Sequence, residues 1–190
     1  MPSPSLTPCQ VGVAKLNNWA AKYTIAGDSS VRKAIVDALQ TESEEDSEVL
    51  LNLNAVSDKK VESPIGEGSI KLEQLLAGGK DYKSKIVPIY DLKDSKLLVA
   101  ELKISTTCLA SMVEMQKEVD GNLEEKSRAT AKSDGQSITL EATKISLDLS
   151  ALKDKKMALP THAQLRAELI GLKGASLAPP IAGDAIPLEV

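Results

Sequence analysis

Few residues in this chain have the chemistry for catalysis or metal binding. His162 is the single histidine, set in "PTHAQ", and the two cysteines, Cys9 and Cys108, lie far apart in sequence. Structural zinc takes four nitrogen or sulfur ligands, so one histidine and two scattered thiols do not make a zinc set. A Cys108–His162 pair is left open by sequence, but no nucleophile motif surrounds either residue. The serines lack the elbow context of a serine nucleophile. "TESEEDSE" (41–48) clusters carboxylates without the fixed spacing and turn glycine that a calcium loop needs, and reads as a solvated loop. "LAGGKDY" (76–82) is glycine-rich but reads as a turn, because no phosphate-loop spacing follows it. Lys80, Lys83 and Lys85 form a basic cluster with the charge to touch lipid phosphate. The expected catalytic residues, cofactors and metal ligands are therefore none, and the chain is read as a non-enzyme.

Composition narrows the partners. The formal net charge is −4, and the aromatic residues are one Trp, three Tyr and no Phe. Nucleic-acid binders usually carry a basic face or stacking aromatics, so nucleic acid is not an expected partner. The acidic balance also weighs against unaided binding to anionic membranes. The two thiols fit unpaired cytosolic cysteines better than one bridge. "MPSPSLTPCQ" shows no basic region followed by an apolar stretch, and no apolar run reaches the length of a membrane span. The expectation is a cytoplasmic protein.

The elements must come from Leu, Ile, Val and Ala. Residues 1–9 are Pro/Ser-rich and predict a flexible arm. "QVGVAKL" (10–16), "VLLNLNAV" (49–56), "IGEGSIKLEQLL" (65–76, with Ile70 and Leu72 on one face and "LEQLL" as the strand's ending), "KIVPIYDL" (85–92) and "LLVAELKIS" (97–105) read as strands. In the last of these Leu98, Ala100, Leu102 and Ile104 point inward, with Val99, Glu101 and Lys103 outward. Pro88 predicts an edge or a bulge. "SSVRKAIVDALQ" (29–40) fits a helix capped by Ser30, although "RKAIV" would also serve as a short strand. "TTCLASMVEMQKEVDGN" predicts a helix with Leu109, Met112, Val113, Val119 and Leu123 on one stripe and a Ser111/Glu114 capping box; a polar linker (123–137) follows. Residues 137–152 alternate again, with a phase slip at Thr143-Lys144 that implies a bulge or a break between strands. Further strand candidates lie in 161–174 and 184–190.

Residues 50–105 resemble the second half of a C2 domain: "PIGEGSIKLEQLL", "KIVPIYDLKD" and "KLLVAELKIS" stand in that family's order. Residues 144–190, with "AQLRAEL" and "DAIPLEV", are similar to the opening strands of C2 modules in ciliary scaffold proteins of the retinitis pigmentosa GTPase regulator-interacting family. The resemblance implies a mainly β, antiparallel C2-like β-sandwich with one or two helices over 10–105, a helix and linker over 106–136, and a smaller strand-containing segment, a partial second C2-like unit, over 137–190. It also implies a calcium loop before Ile65-Gly66. There only Asp58 and Glu62 are acidic, with Lys59 and Lys60 between them, so a calcium-independent type is expected.

Three strands are too few to cover themselves. Ile145, Leu147, Leu149, Leu165, Leu169 and Leu188 are therefore read as apolar surface that packs on the first unit or binds a partner. The functional expectation is a calcium-independent C2-like scaffold subunit of a multi-subunit assembly, with the ciliary axoneme or basal body as its setting. The alternative is a peripheral phospholipid-binding module.

Overall fold

Alternation along the sequence becomes alternation in burial. The computed structural model describes residues 11–25, 29–39, 48–56, 62–119, 136–154 and 160–189. The expected arm (1–9), most of the acidic run, Asp58 and most of the linker lie outside these residues. The strands are β1 (Val11–Thr24), β2 (Glu48–Val56), β3 (Glu62–Lys71), β4 (Lys85–Asp91), β5 (Leu98–Thr107), β6 (Ser137–Asp148), β7 (His162–Ile170), β8 (Ile181–Ala182) and β9 (Ile186–Pro187). The helices are α1 (Ser30–Leu39), α2 (Leu72–Gly78), α3 (Leu109–Val119) and α4 (Leu149–Asp154). The fold is mainly antiparallel β with few helices, the class that the alternation predicts. No helix among the described residues is long and apolar enough to cross a membrane.

All strands join one sheet in the order β1-β6-β5-β4-β3-β2-β7-β8, with β9 also on β7. The sheet divides into two halves at β3 and β4, where only Gly66↔Asp91 and Glu67↔Tyr90 pair. The cause is local. A Cβ on Gly66 would collide with the Tyr90 carbonyl oxygen and with Val99, and one on Gly68 with the Pro88 carbonyl oxygen and Ile89. The missing side chains let the β4 backbone lie against β3, so the sheet folds over at this corner. The far ends of the folded sheet also meet: Val13 and Glu189 exchange two backbone hydrogen bonds, each 2.8 Å.

The inner faces of the two halves fill one core. Val49, Leu51 and Leu53 of β2 sit across from Leu169, Ala167 and Leu165 of β7, and Ala100 and Leu102 of β5 across from Leu147 and Ile145 of β6. All ten are buried in the same apolar cluster. The strands expected of a smaller C-terminal segment join the same sheet: β6 lies between β1 and β5, and β7 lies beside β2. The phase slip at Thr143 is a bulge inside one continuous strand, since Lys103 pairs with Lys144 but Ile104 with Ala142. β1 carries a matching register shift between Lys15 and Trp19. This irregularity ends the simple alternation that marked only 10–16 as strand.

Several local expectations change. "LEQLLAG" is the helix α2 and not a strand ending, closed by Gly79 at φ 62°. Val99 is fully buried, because the β4–β5 register slips between Ile89 and Tyr90 and turns it toward Gly66. Pro88 is on an interior strand, and its carbonyl faces Gly68, so its missing amide hydrogen falls where the β3–β4 ladder has lapsed. Residues 30–39 are helical, and Ser29, one residue earlier than expected, accepts the Arg32 amide at 3.1 Å.

Substituting Gly66→Ala or Gly68→Ala is expected to destabilise the fold by about 1–3 kcal/mol each through overpacking. Gly78→Ala, whose Cβ would meet nothing within 4 Å, is expected to be neutral or slightly stabilising. Urea unfolding of the three variants checks this; equal effects at all three would refute the corner.

Candidate functional site

The α3 N-terminus holds the most connected polar cluster. Asp81, in the loop after α2, accepts the Cys108 amide at 2.8 Å, the Leu109 amide at 3.2 Å and the Thr106 hydroxyl at 3.2 Å. A remote carboxylate therefore caps α3, and the expected Ser111/Glu114 capping box is not formed. Ser111 is instead buried and pins β6: its hydroxyl donates to the Ser137 carbonyl and accepts the Ser137 amide, both at 3.1 Å. The buried stripe of α3 is Met112 and Met115, while Val113 is exposed.

Cys108 is 3% exposed, and its thiol pKa is pushed up to about 12, by burial first and then by the neighbouring Asp81 carboxylate. Such a thiol stays protonated and is a poor nucleophile. His162 opens β7, with its Nδ1 2.9 Å from the Thr161 hydroxyl. The polar neighbours of Cys108 are Asp81 and Thr106, so the two residues do not form a dyad. Among the described residues no group of three His, Cys, Asp or Glu stands close enough to hold a metal. Lys85 of the basic cluster lies over the Tyr82 ring, 3.7 Å from its centroid. With Lys71, Ile86 and Pro88 it borders a shallow cleft of about 150 Å³ at the β3–β4 corner.

Of the two readings of the six apolar residues, packing on the rest of the chain or binding a partner, the structure shows the first. Ile145, Leu147, Leu149, Leu165 and Leu169 are at most 4% exposed inside the core. Leu188 is partly buried against it. They find cover within the chain, in the one apolar core that both halves of the folded sheet share.

The larger opening is where the sheet ends meet. Beyond the Val13–Glu189 bridge no ladder joins β1 to β8 or β9. Between them lies an open cleft of about 380 Å³, lined by Lys15, Trp19, Ala20, Ile181, Gly183, Asp184 and Ile186 among others. Trp19 is 8% exposed, and its indole Nε1 has no hydrogen-bond partner. Tyr23, also on β1, has a buried hydroxyl without a partner. Its pKa is pushed up to about 12 by burial, and then by Glu168 of β7. A buried donor left unmade costs roughly 1–3 kcal/mol. Periodicity marks neither residue, since the bulge at 15–19 breaks the β1 pattern; the sole tryptophan was the available signal.

The raised thiol sets a pH dependence. The folded Cys108 holds its proton to about pH 12, whereas an unfolded cysteine releases it near pH 8.5. The native state then binds more protons than the unfolded chain, so stability falls as pH rises through that window. Tyr23 adds to the fall above the ordinary tyrosine value of about 10. Urea midpoints between about pH 8 and 11 are expected to drop less steeply for Cys108→Ala than for the parent; parallel slopes would show that Cys108 is not the cause. No family model, curated protein or solved structure matches the chain.

Proposed function

We propose that the chain is a non-enzymatic binding module, a scaffold subunit that accepts an extended segment of a partner protein in the cleft between β1 and β8–β9. The observation that carries this reading is the orphaned Trp19 Nε1 beside that cleft. The opposing strands run without a ladder between them, and strand edges take up extended peptides through main-chain hydrogen bonds. The backbone at Gly183 closes over the indole edge, where a Cβ would collide with the ring, so a peptide carbonyl supplies the acceptor that the indole lacks once the β8–β9 segment shifts outward. The buried, protonated Cys108 and the isolated His162 support a role without covalent chemistry. The proposal that the assembly is ciliary, axonemal or basal-body, rests on the sequence resemblance of residues 144–190 alone.

Trp19 is the single tryptophan, so its fluorescence reports the cleft directly. Peptides selected by display against the full chain are expected to shift its emission on binding. Ala20 and Ala182 are exposed on the rim, and the double change Ala20→Gln/Ala182→Gln is expected to weaken binding at least about tenfold without lowering the melting temperature. Selected peptides that bind both proteins equally and leave the emission unmoved would refute the cleft. Vesicle binding that survives the double change would favour the phospholipid alternative.

A further inference from the structure

The outward face of the β1-β6-β5-β4 half carries like charges in register. Lys15 pairs with Lys144 across β1 and β6, and Lys144 pairs with Lys103 across β6 and β5. On the next strand Ile86 sits opposite Lys103 and is 57% exposed. Neighbouring strands stand about 5 Å apart, so the three lysines form a row roughly 10 Å long, and the exposed isoleucine ends it. Like charges directly opposite each other on a sheet destabilise it. Only Lys15 has an acidic partner among the described residues: its Nζ lies 3.9 Å from Glu189, with both side chains largely exposed. Lys103 and Lys144 have none.

The row is narrow. Ser105 pairs with Glu141 on one side of it, and Glu101 pairs with Ser146 on the other, so carboxylates border both flanks on the same outward face. A broad anionic plane would meet those carboxylates together with the lysines. A single extended chain fits between them. Lys15 also lines the Trp19 cleft, so the row leads away from the place where a partner segment would enter.

We propose that the Lys15–Lys144–Lys103 row is the docking strip for an acidic, extended polypeptide, and that the segment held in the cleft continues along it as an acidic stretch. This identification of the partner's chemistry rests on the cleft reading above. The bound carboxylates supply the counter-charge that Lys103 and Lys144 lack, and Ile86 offers an apolar contact at the far end.

Fluorescence anisotropy with two labelled peptides tests it, one of six Glu-Thr repeats and one of six Gln-Thr repeats. The acidic peptide is expected to bind the full chain in about 50 mM salt and to lose most affinity in about 500 mM. Lys103→Gln and Lys144→Gln are each expected to weaken it roughly two- to fivefold. Both variants should melt at or above the parent temperature, because a cross-strand repulsion is removed. Equal binding of the two peptides, no binding of either, or unchanged affinity in both lysine variants would overturn the strip. So would phosphatidylserine vesicles binding through these lysines while the acidic peptide does not. If Ala20→Gln/Ala182→Gln leaves the acidic peptide bound and still dependent on Lys103 and Lys144, the strip stands and the cleft reading fails.

Discussion

Backbone lying directly against backbone at Gly66 and Gly68 is the constraint on which the rest of the molecule depends. A sheet of this length would otherwise expose one apolar face along its whole extent. With hydrogen where side chains would be, β4 crosses close over β3 and the sheet doubles back. The aliphatic faces of the two halves then cover each other. No phenylalanine contributes to that core, so its cohesion comes from many Leu, Ile, Val and Ala side chains packed in small increments. The corner has a cost in pairing, because the β3–β4 ladder shrinks to two residue pairs.

Folding over also decides where a partner can bind. Once the ends of the sheet meet at Val13 and Glu189, most strand edges are paired, and the apolar faces of β6 and β7 are consumed by the core. The remaining irregularity is the incomplete closure between β1 and β8–β9. There the bulged β1 and the interrupted C-terminal strands do not run in ladder, and the buried Trp19 donor lacks a partner, as does the Tyr23 hydroxyl further along β1. Native proteins rarely leave such donors unmade without reason. The polar outer face beside this gap carries the lysine row, relieved only at Lys15 by Glu189, so the two features lie next to each other on the same strand.

Much of the strand content was legible from residues alone. "VLLNLNAV" and "AQLRAEL" alternate because one face of each is buried against the other half, and period-two patterns report that. The bulge at Thr143 was visible because it flips the parity of Ile138-Leu140 against Ile145-Leu147. Other features depend on partners distant in sequence. That β6 and β7 enter the same sheet as the earlier strands was not legible, because strand neighbours are set by topology, which alternation does not encode. Val99 looked outward until the register slip beside Gly66 turned it in. Asp81 caps α3 from a loop 27 residues before Cys108, beyond any local capping rule. The candidate cleft was illegible for the same reason: it forms between β1 and the last strands of the chain.

The central claim is that β6 and β7 belong to the same cooperative core as β2 and β5. Native-state amide hydrogen exchange tests this most directly, since cooperative units open at their own characteristic free energies. The account predicts that the slowest amides of β6 and β7 exchange at the same opening free energy as those of β2 and β5. Exchange of β6 and β7 through a separate, distinctly lower-energy opening, with β2 and β5 still protected, would contradict it.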